Sequence, residues 1–281
     1  MDFQVRIARE EDIPLILPWT RDTFEWGDYI PDRLPAWITD PDSVVLVAVD
    51  SEGRPRAITH ALMLSGDEGW LEGARVHPDR RRMGLGTALN KAGVAWLKDQ
   101  GARVVGLAAE ADNEPVHLQM EQLGYRAVSR WLHAELAVPG DEICPPELHL
   151  RRAVSADVDA AWMFWSTSDL AHEGRGMIAE GWHWRRARPD DLAAGAGRGE
   201  FFQAPTGWVL IDQPGEDRVR LLWMATARAD APRLLEALMD LARGRGAETV
   251  SVKVPKIPWV AETLVRAGAE PGEVVIYWKA L

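Results

Sequence analysis

One cysteine, Cys144, stands in 281 residues, so no intrachain disulfide can form and a reducing cytoplasm is the expected setting. The seven histidines are scattered, with neither HExxH nor CxxC spacing, which argues against a metal centre. No apolar run approaches the roughly 20 residues that cross a bilayer, so no membrane partner is expected. The start, "MDFQVRIARE", lacks the apolar stretch that follows a basic start in a secretory signal. Positive charge is also short. With 32 Lys and Arg against 43 Asp and Glu, the net charge is −11, the wrong sign for neutralising nucleic-acid phosphates. That balance suits a cationic small molecule instead.

What is present suits a sizeable core, since 47% of residues are hydrophobic and 27% charged. The length is comfortable for two domains. "VPGDEICPPE" (138–147) reads as a linker between residues 1–137 and 148–281. The two halves echo each other about 145 residues apart: "VRIAREEDIPLIL" answers "LRRAVSADVDAAW", and "LKDQGARVVGLA" answers "LARGRGAETVSV". Each half alternates strand and helix signals, predicting a mixed α/β (α+β) fold, two domains each with a largely antiparallel sheet flanked by helices. In the first half "SVVLVAV", "PRAITHALML" and "GWLEGARV" read as hairpin-connected strands. "GLGTALNKAGVAWLKDQG" follows as a helix entered near Thr87, then "RVVGLAAEA" as a buried strand. Strand alternation puts Glu72 on one face with Trp70 and Ala74.

"VHPDRRRMGLGTAL" (76–89) is unusual in so acidic a chain, with three arginines and a Gly-Leu-Gly at the entry to a helix. Free N–H groups of a first helical turn, the helix dipole and nearby arginines together suit a phosphate or pyrophosphate. There is no GK[ST] of a P-loop and no third glycine of a dinucleotide-binding turn.

These residues resemble the GNAT family of acyl-CoA-dependent N-acetyltransferases. The family's R/Q-x-x-G-x-G/A loop appears as Arg81-Arg82-Met83-Gly84-Leu85-Gly86 after Val76-His77-Pro78, and "EADNEPVHLQMEQLGY" is similar to its downstream strand end and helix. The resemblance covers residues 3–137. It implies acetyl-CoA as cofactor, with the pyrophosphate on backbone N–H groups of residues 82–87 and the contact set completed by Ala74, Arg75, Val76, Thr87 and Asn113. It also implies an oxyanion contact from the Val76 N–H. One position departs: where the family usually carries a tyrosine that protonates the leaving thiolate, this chain has Met120. Methionine is no acid, so the proton comes from another group or water, or the thiolate leaves unprotonated.

The second half has neither the glycines nor an asparagine at the matching points, and reads as a degenerate GNAT-like domain. Amide formation needs a neutral amine, hence a base. Glu72 is the first candidate, in a "LEG" that resembles the matching strand of aminoglycoside N-acetyltransferases. Glu110 and Asp112 come second. "TFEWGDYIPDRLPAW" (23–37) packs aromatics among carboxylates, offering Trp26, Asp28 and Tyr29, with Trp70 and Asp112, as contacts for an amine-bearing substrate. Its pattern is also similar to a tandem group within the family that acts on a free amino acid. The expected function is transfer of an acetyl group from acetyl-CoA to a primary amine of a small molecule, by a monomer or homodimer. A catalytically silent CoA-binding protein and a protein N-acetyltransferase are the alternatives.

Overall fold

The computed structural model describes residues 3–21, 28–141, 145–213 and 215–281. Their contacts group the chain into two compact units: Met1–Ala108 with Glu114–Arg126 and Tyr277–Leu281, and Ala109–Asn113 with Ala127–Ile276. The chain's last residues thus belong to the first unit, where the Leu281 N–H donates to the Arg103 carbonyl at 2.9 Å.

The first unit begins with strand β1 (Gln4–Ile7), helices α1 (Ile13–Thr20) and α2 (Ile30–Thr39), and three strands, β2 (Ser43–Val49), β3 (Pro55–Met63) and β4 (Glu68–Val76). These four strands pair antiparallel in the order β1-β2-β3-β4. Strand β2 is buried on both faces because helices cover both. On one side Ile16, Ile30 and Leu34 of α1 and α2 pack on Val45, Val47 and Ile58. The other side takes helix α3 (Leu85–Asp99), whose buried stripe is Leu85, Leu89, Asn90, Gly93 and Leu97. Helix α3 starts two residues before the expected Thr87. It leads into strand β5 (Val104–Glu110), which runs parallel to β4 as a crossover connection requires. Helix α4 (Glu114–Gln122) follows.

Strand β6 (Arg126–Ala137) is counted with the second unit from Ala127 on. That unit continues through β7 (Arg151–Arg152), α5 (Val158–Ser166), α6 (Asp169–Glu173), the hairpin β8 (Met177–Glu180) and β9 (His183–Arg186), and α7 (Pro189–Arg198). Strands β10 (Phe201–Ala204), β11 (Gly207–Asp212) and β12 (Arg218–Ala225) come next, then α8 (Ala231–Gly244), β13 (Thr249–Pro255), α9 (Pro258–Arg266) and β14 (Gly272–Ala280), which is counted with this unit as far as Ile276. Its sheet runs β6-β13-β12-β11-β10-β7, antiparallel except for β12 with β13. The β12-α8-β13 crossover thus repeats the plan of β4-α3-β5. Tryptophans serve the core here: Trp165, Trp184 and Trp223 are all buried. Among the described residues no helix is long and apolar enough to cross a membrane.

Candidate functional site

After β4 ends at Val76, a short turn at Pro78–Arg80 carries exposed Arg80, Arg81 and Arg82 to the mouth of α3. Two backbone positions there are left-handed: Arg82 with φ +60° and Gly84 with φ +83°. Glycine adopts that conformation without strain, whereas arginine does so at a cost. The first intrahelical bond runs from the Ala88 N–H to the Gly84 carbonyl, so the N–H groups of Leu85, Gly86 and Thr87 have no acceptor within the helix. A side chain at Gly84 would meet no protein atom within 4 Å, which leaves the helix mouth open. Leu85 is buried and anchors the turn, Met83 is half-buried, and Gln119 of α4 donates to the Thr87 hydroxyl at 3.1 Å. Open N–H donors, positive dipole and arginines fit a diphosphate.

Strand β4 has two irregularities beside this mouth. Its pairing with β5 ends at Trp70–Gly106, although β4 runs on to Val76. The His77 N–H donates to the Arg56 carbonyl at 2.8 Å, so ladder alternation turns the Val76 N–H away from β3, to the edge that β5 has left. The second irregularity is a bulge. Gly73 takes φ +63°, and two residues, Gly73 and Ala74, stand opposite Thr59 alone. Alternation therefore fails at this point. Glu72 shares its face with Trp70 and Arg75, not with Ala74, because the extra residue flips every side chain beyond it. Ala74 is exposed.

That face carries a chain of ring and charge contacts. Glu72 Oε1 lies 2.9 Å from His60 Nδ1 on β3. Trp37 of α2 stacks on the His60 ring, centroids 4.2 Å apart and planes 11° from parallel. Tyr29 meets Trp37 edge-on at 6.1 Å, and the Arg75 guanidinium lies 5.3 Å from the Tyr29 ring centre. Arg75 in turn grips Asp28 with two bonds of 2.6 and 3.1 Å. Asp28 has no exposed side-chain surface, so its charge is matched within the protein. Burial pushes the Tyr29 phenol above its ordinary range, and the Arg75 charge opposes the shift.

Residues 13–125 match the model of the acetyltransferase (GNAT) family. This segment is a GNAT domain. A mycothiol acetyltransferase of Clavibacter sepedonicus is 38% identical over 101 residues, covering 36% of this chain and 32% of the relative. A histidine N-acetyltransferase of Oreochromis niloticus is 24% identical over 213 residues, covering 68% and 61%. The chain thus spans about a third of the former relative's length and under two thirds of the latter's. Among solved structures, a GCN5-related N-acetyltransferase from Sphaerobacter thermophilus superposes with a TM-score of 0.69 at 19% identity, over 99% of this chain and 95% of that one. A tandem GNAT protein from the clavulanic acid biosynthesis pathway gives 0.60 at 14% identity, over 99% and 98%. At such identities the likeness is one of fold, and it runs the length of the chain.

Trp26 lies outside the described residues. Trp70 is 1% exposed and fills the junction with β5, where a side chain on Gly106 would lie 2.6 Å from its ring. Glu110, Asp112 and Asn113 are counted with the second unit. There Glu110 is half-exposed, 3.4 Å from His133, Asp112 is exposed, and the Asn113 N–H donates to the Glu110 carbonyl at 3.1 Å. Met120 is buried in the GNAT domain. One turn earlier on α4, His117 Nδ1 lies 2.7 Å from the Tyr277 hydroxyl. Tyr125 is no substitute acid: burial pushes its phenol up to about 12, with Asn90 as its hydrogen-bond acceptor. Sequence reading missed His60 as the neighbour of Glu72. Alternation across the β3–β4 hairpin is the signal that pairs His60 with Glu72.

The second unit lacks the open mouth. Helix α8 follows β12 through five residues without a glycine, and Asp230 occupies its N-cap, a negative charge where a phosphate would need a positive one. Below it, Leu221, Met224, Leu234, Val252, Trp259 and Leu264 are among the residues lining a cavity of about 30 Å³, too apolar for a diphosphate. Burial, then the Arg220 charge, pushes the Lys253 ammonium down to about 8 beneath the Trp182 ring. Among the described residues no group of three or more His, Cys, Asp or Glu could hold a metal.

Proposed function

We propose that the chain is an N-acetyltransferase that moves an acetyl group from acetyl-CoA to a primary amine of a small molecule. The observation that carries this reading is the parting of β4 from β5 after Trp70–Gly106, directly ahead of the open mouth of α3. The N–H groups of residues 82–87 would take the donor's diphosphate. The Val76 N–H, turned toward the gap, would receive the thioester oxygen as it gains negative charge. Glu72 is the base that removes a proton from the acceptor ammonium; the amine nitrogen then bonds to the acetyl carbon, the C–S bond breaks, and the nitrogen's second proton leaves to water to give the neutral amide. Met120 supplies no proton, so the sulfur leaves as thiolate or takes its proton from water.

Tyr29, Trp37 and the Asp28–Arg75 pair form a wall of aromatic and charged groups beside Glu72, which supports a small polar acceptor. One relative is named for histidine, which therefore heads the trial acceptors. Thiol release from acetyl-CoA, measured against amino acids, polyamines and amino sugars, tests the proposal. Release with one of these acceptors is expected. Tight acetyl-CoA binding with no release for any acceptor would favour the silent CoA-binding reading, and no acetyl-CoA binding would remove the proposal altogether.

A further inference from the structure

His60 stands in the middle of β3, directly across the ladder from Glu72, with 2% of it exposed. Its two ring nitrogens have different surroundings. Nδ1 faces the Glu72 carboxylate at 2.9 Å, whereas buried Nε2 has no hydrogen-bond partner among the described residues. A proton on Nε2 would be a buried donor with nothing to receive it, while a proton on Nδ1 meets an acceptor. The Trp37 ring stacks on the face of the imidazole.

We propose that His60 is a positioning residue for Glu72: it carries its proton on Nδ1 and donates it to Oε1, fixing the carboxylate's orientation and favouring its ionised form. The inference rests on the reading of Glu72 as the base. Only 11% of the Glu72 side chain is exposed, and a carboxylate so poorly solvated keeps its charge only where donors replace water. Among the described residues, the charged or titratable groups recorded beside Glu72 and His60 on this face include the Tyr29 phenol and the Asp28–Arg75 pair, whose two charges meet each other. Trp37 of α2 and Val45 of β2, the remaining neighbours in stack and ladder, bring no charge.

Three substitutions separate this role from simple packing. His60→Asn places an amide N–H where Nδ1–H stood, His60→Gln reaches toward the Nε2 position, and His60→Leu removes the donor. In ¹⁵N-histidine-labelled protein, the signal lost in His60→Asn should show a protonated Nδ1 and a bare Nε2. Once an acceptor amine is in hand, His60→Leu should lower kcat by about tenfold or more with the KM for acetyl-CoA unchanged. It should also move the acid limb of kcat/KM to higher pH, because the ionised carboxylate has lost its donor. His60→Asn should restore the limb and most of the rate, and His60→Gln should not. A proton on Nε2, or a slower His60→Leu enzyme whose acid limb has not moved, overturns the proposal while leaving Glu72 as base. Full activity in Glu72→Gln overturns the base reading and this role with it. If His60→Leu does not fold, the nitrogen spectrum and the Asn and Gln variants decide the matter.

Discussion

Replacing Gly73 by alanine tests the bulge on which the site's geometry depends. The new Cβ would lie 2.9 Å from Cζ3 of Trp37, closer than real Cβ atoms approach, and 3.1 Å from Cδ1 of Ile30, tighter than most real contacts. It would also sit on a residue with φ +63°. The left-handed backbone costs an L-residue about 1–2 kcal/mol, and crowding a packed core costs about 1–3 kcal/mol more. Gly84→Ala is the internal control. Its φ of +83° carries a similar backbone cost, but its Cβ would meet nothing within 4 Å. Both variants gain the same small amount from a stiffer unfolded chain, so that contribution cancels. Gly73→Ala should therefore be less stable than Gly84→Ala by about 1–3 kcal/mol, or roughly 3–10 °C in Tm. Thermal and denaturant unfolding measure the difference. Near-UV circular dichroism should also change in Gly73→Ala alone, since Trp37 has to shift on His60. Equal losses in the two variants would refute the close approach of Trp37 to the bulge.

Gly84→Asp should keep the fold but weaken acetyl-CoA binding, because like charges about 4 Å apart repel by about 1 kcal/mol even in bulk water and by more where water is thin. Calorimetry showing wild-type affinity in the folded variant would remove the diphosphate from the mouth of α3. Binding should saturate at one acetyl-CoA per chain, given the acidic cap and apolar cavity of the second unit; two equivalent sites would contradict that. Glu72→Gln should lower the rate by about 10²–10⁴-fold with acetyl-CoA affinity unchanged, and part of the loss should return at high pH, where the amine deprotonates unaided. Turnover within about threefold of wild type at neutral pH would place the base elsewhere, with Glu110 and Asp112 next to be tested.

Much of the fold was legible because its signals are local. Alternating apolar runs with turn residues between them marked β2, β3 and β4, and the glycines and arginines after Val76 marked the entry to a helix. The repeat of strand-helix-strand at about 145 residues pointed to one plan used twice, and both crossovers pair their strands in parallel. The facing of side chains past Glu72 was not legible. A two-residue period holds only while the ladder is regular, and one added residue at Gly73–Ala74 turned Arg75 to the face where Ala74 was expected. Arg75 then meets Asp28, 47 residues away in sequence, and His60 meets Glu72 across a hairpin. The residue types, the order of the elements and the glycine-arginine turn at the mouth of α3 were thus determined by the sequence alone. Which carboxylate stands beside which imidazole, and which ends matched by an arginine, was decided only by the register of the folded sheet, because register sets the face on which each side chain lies.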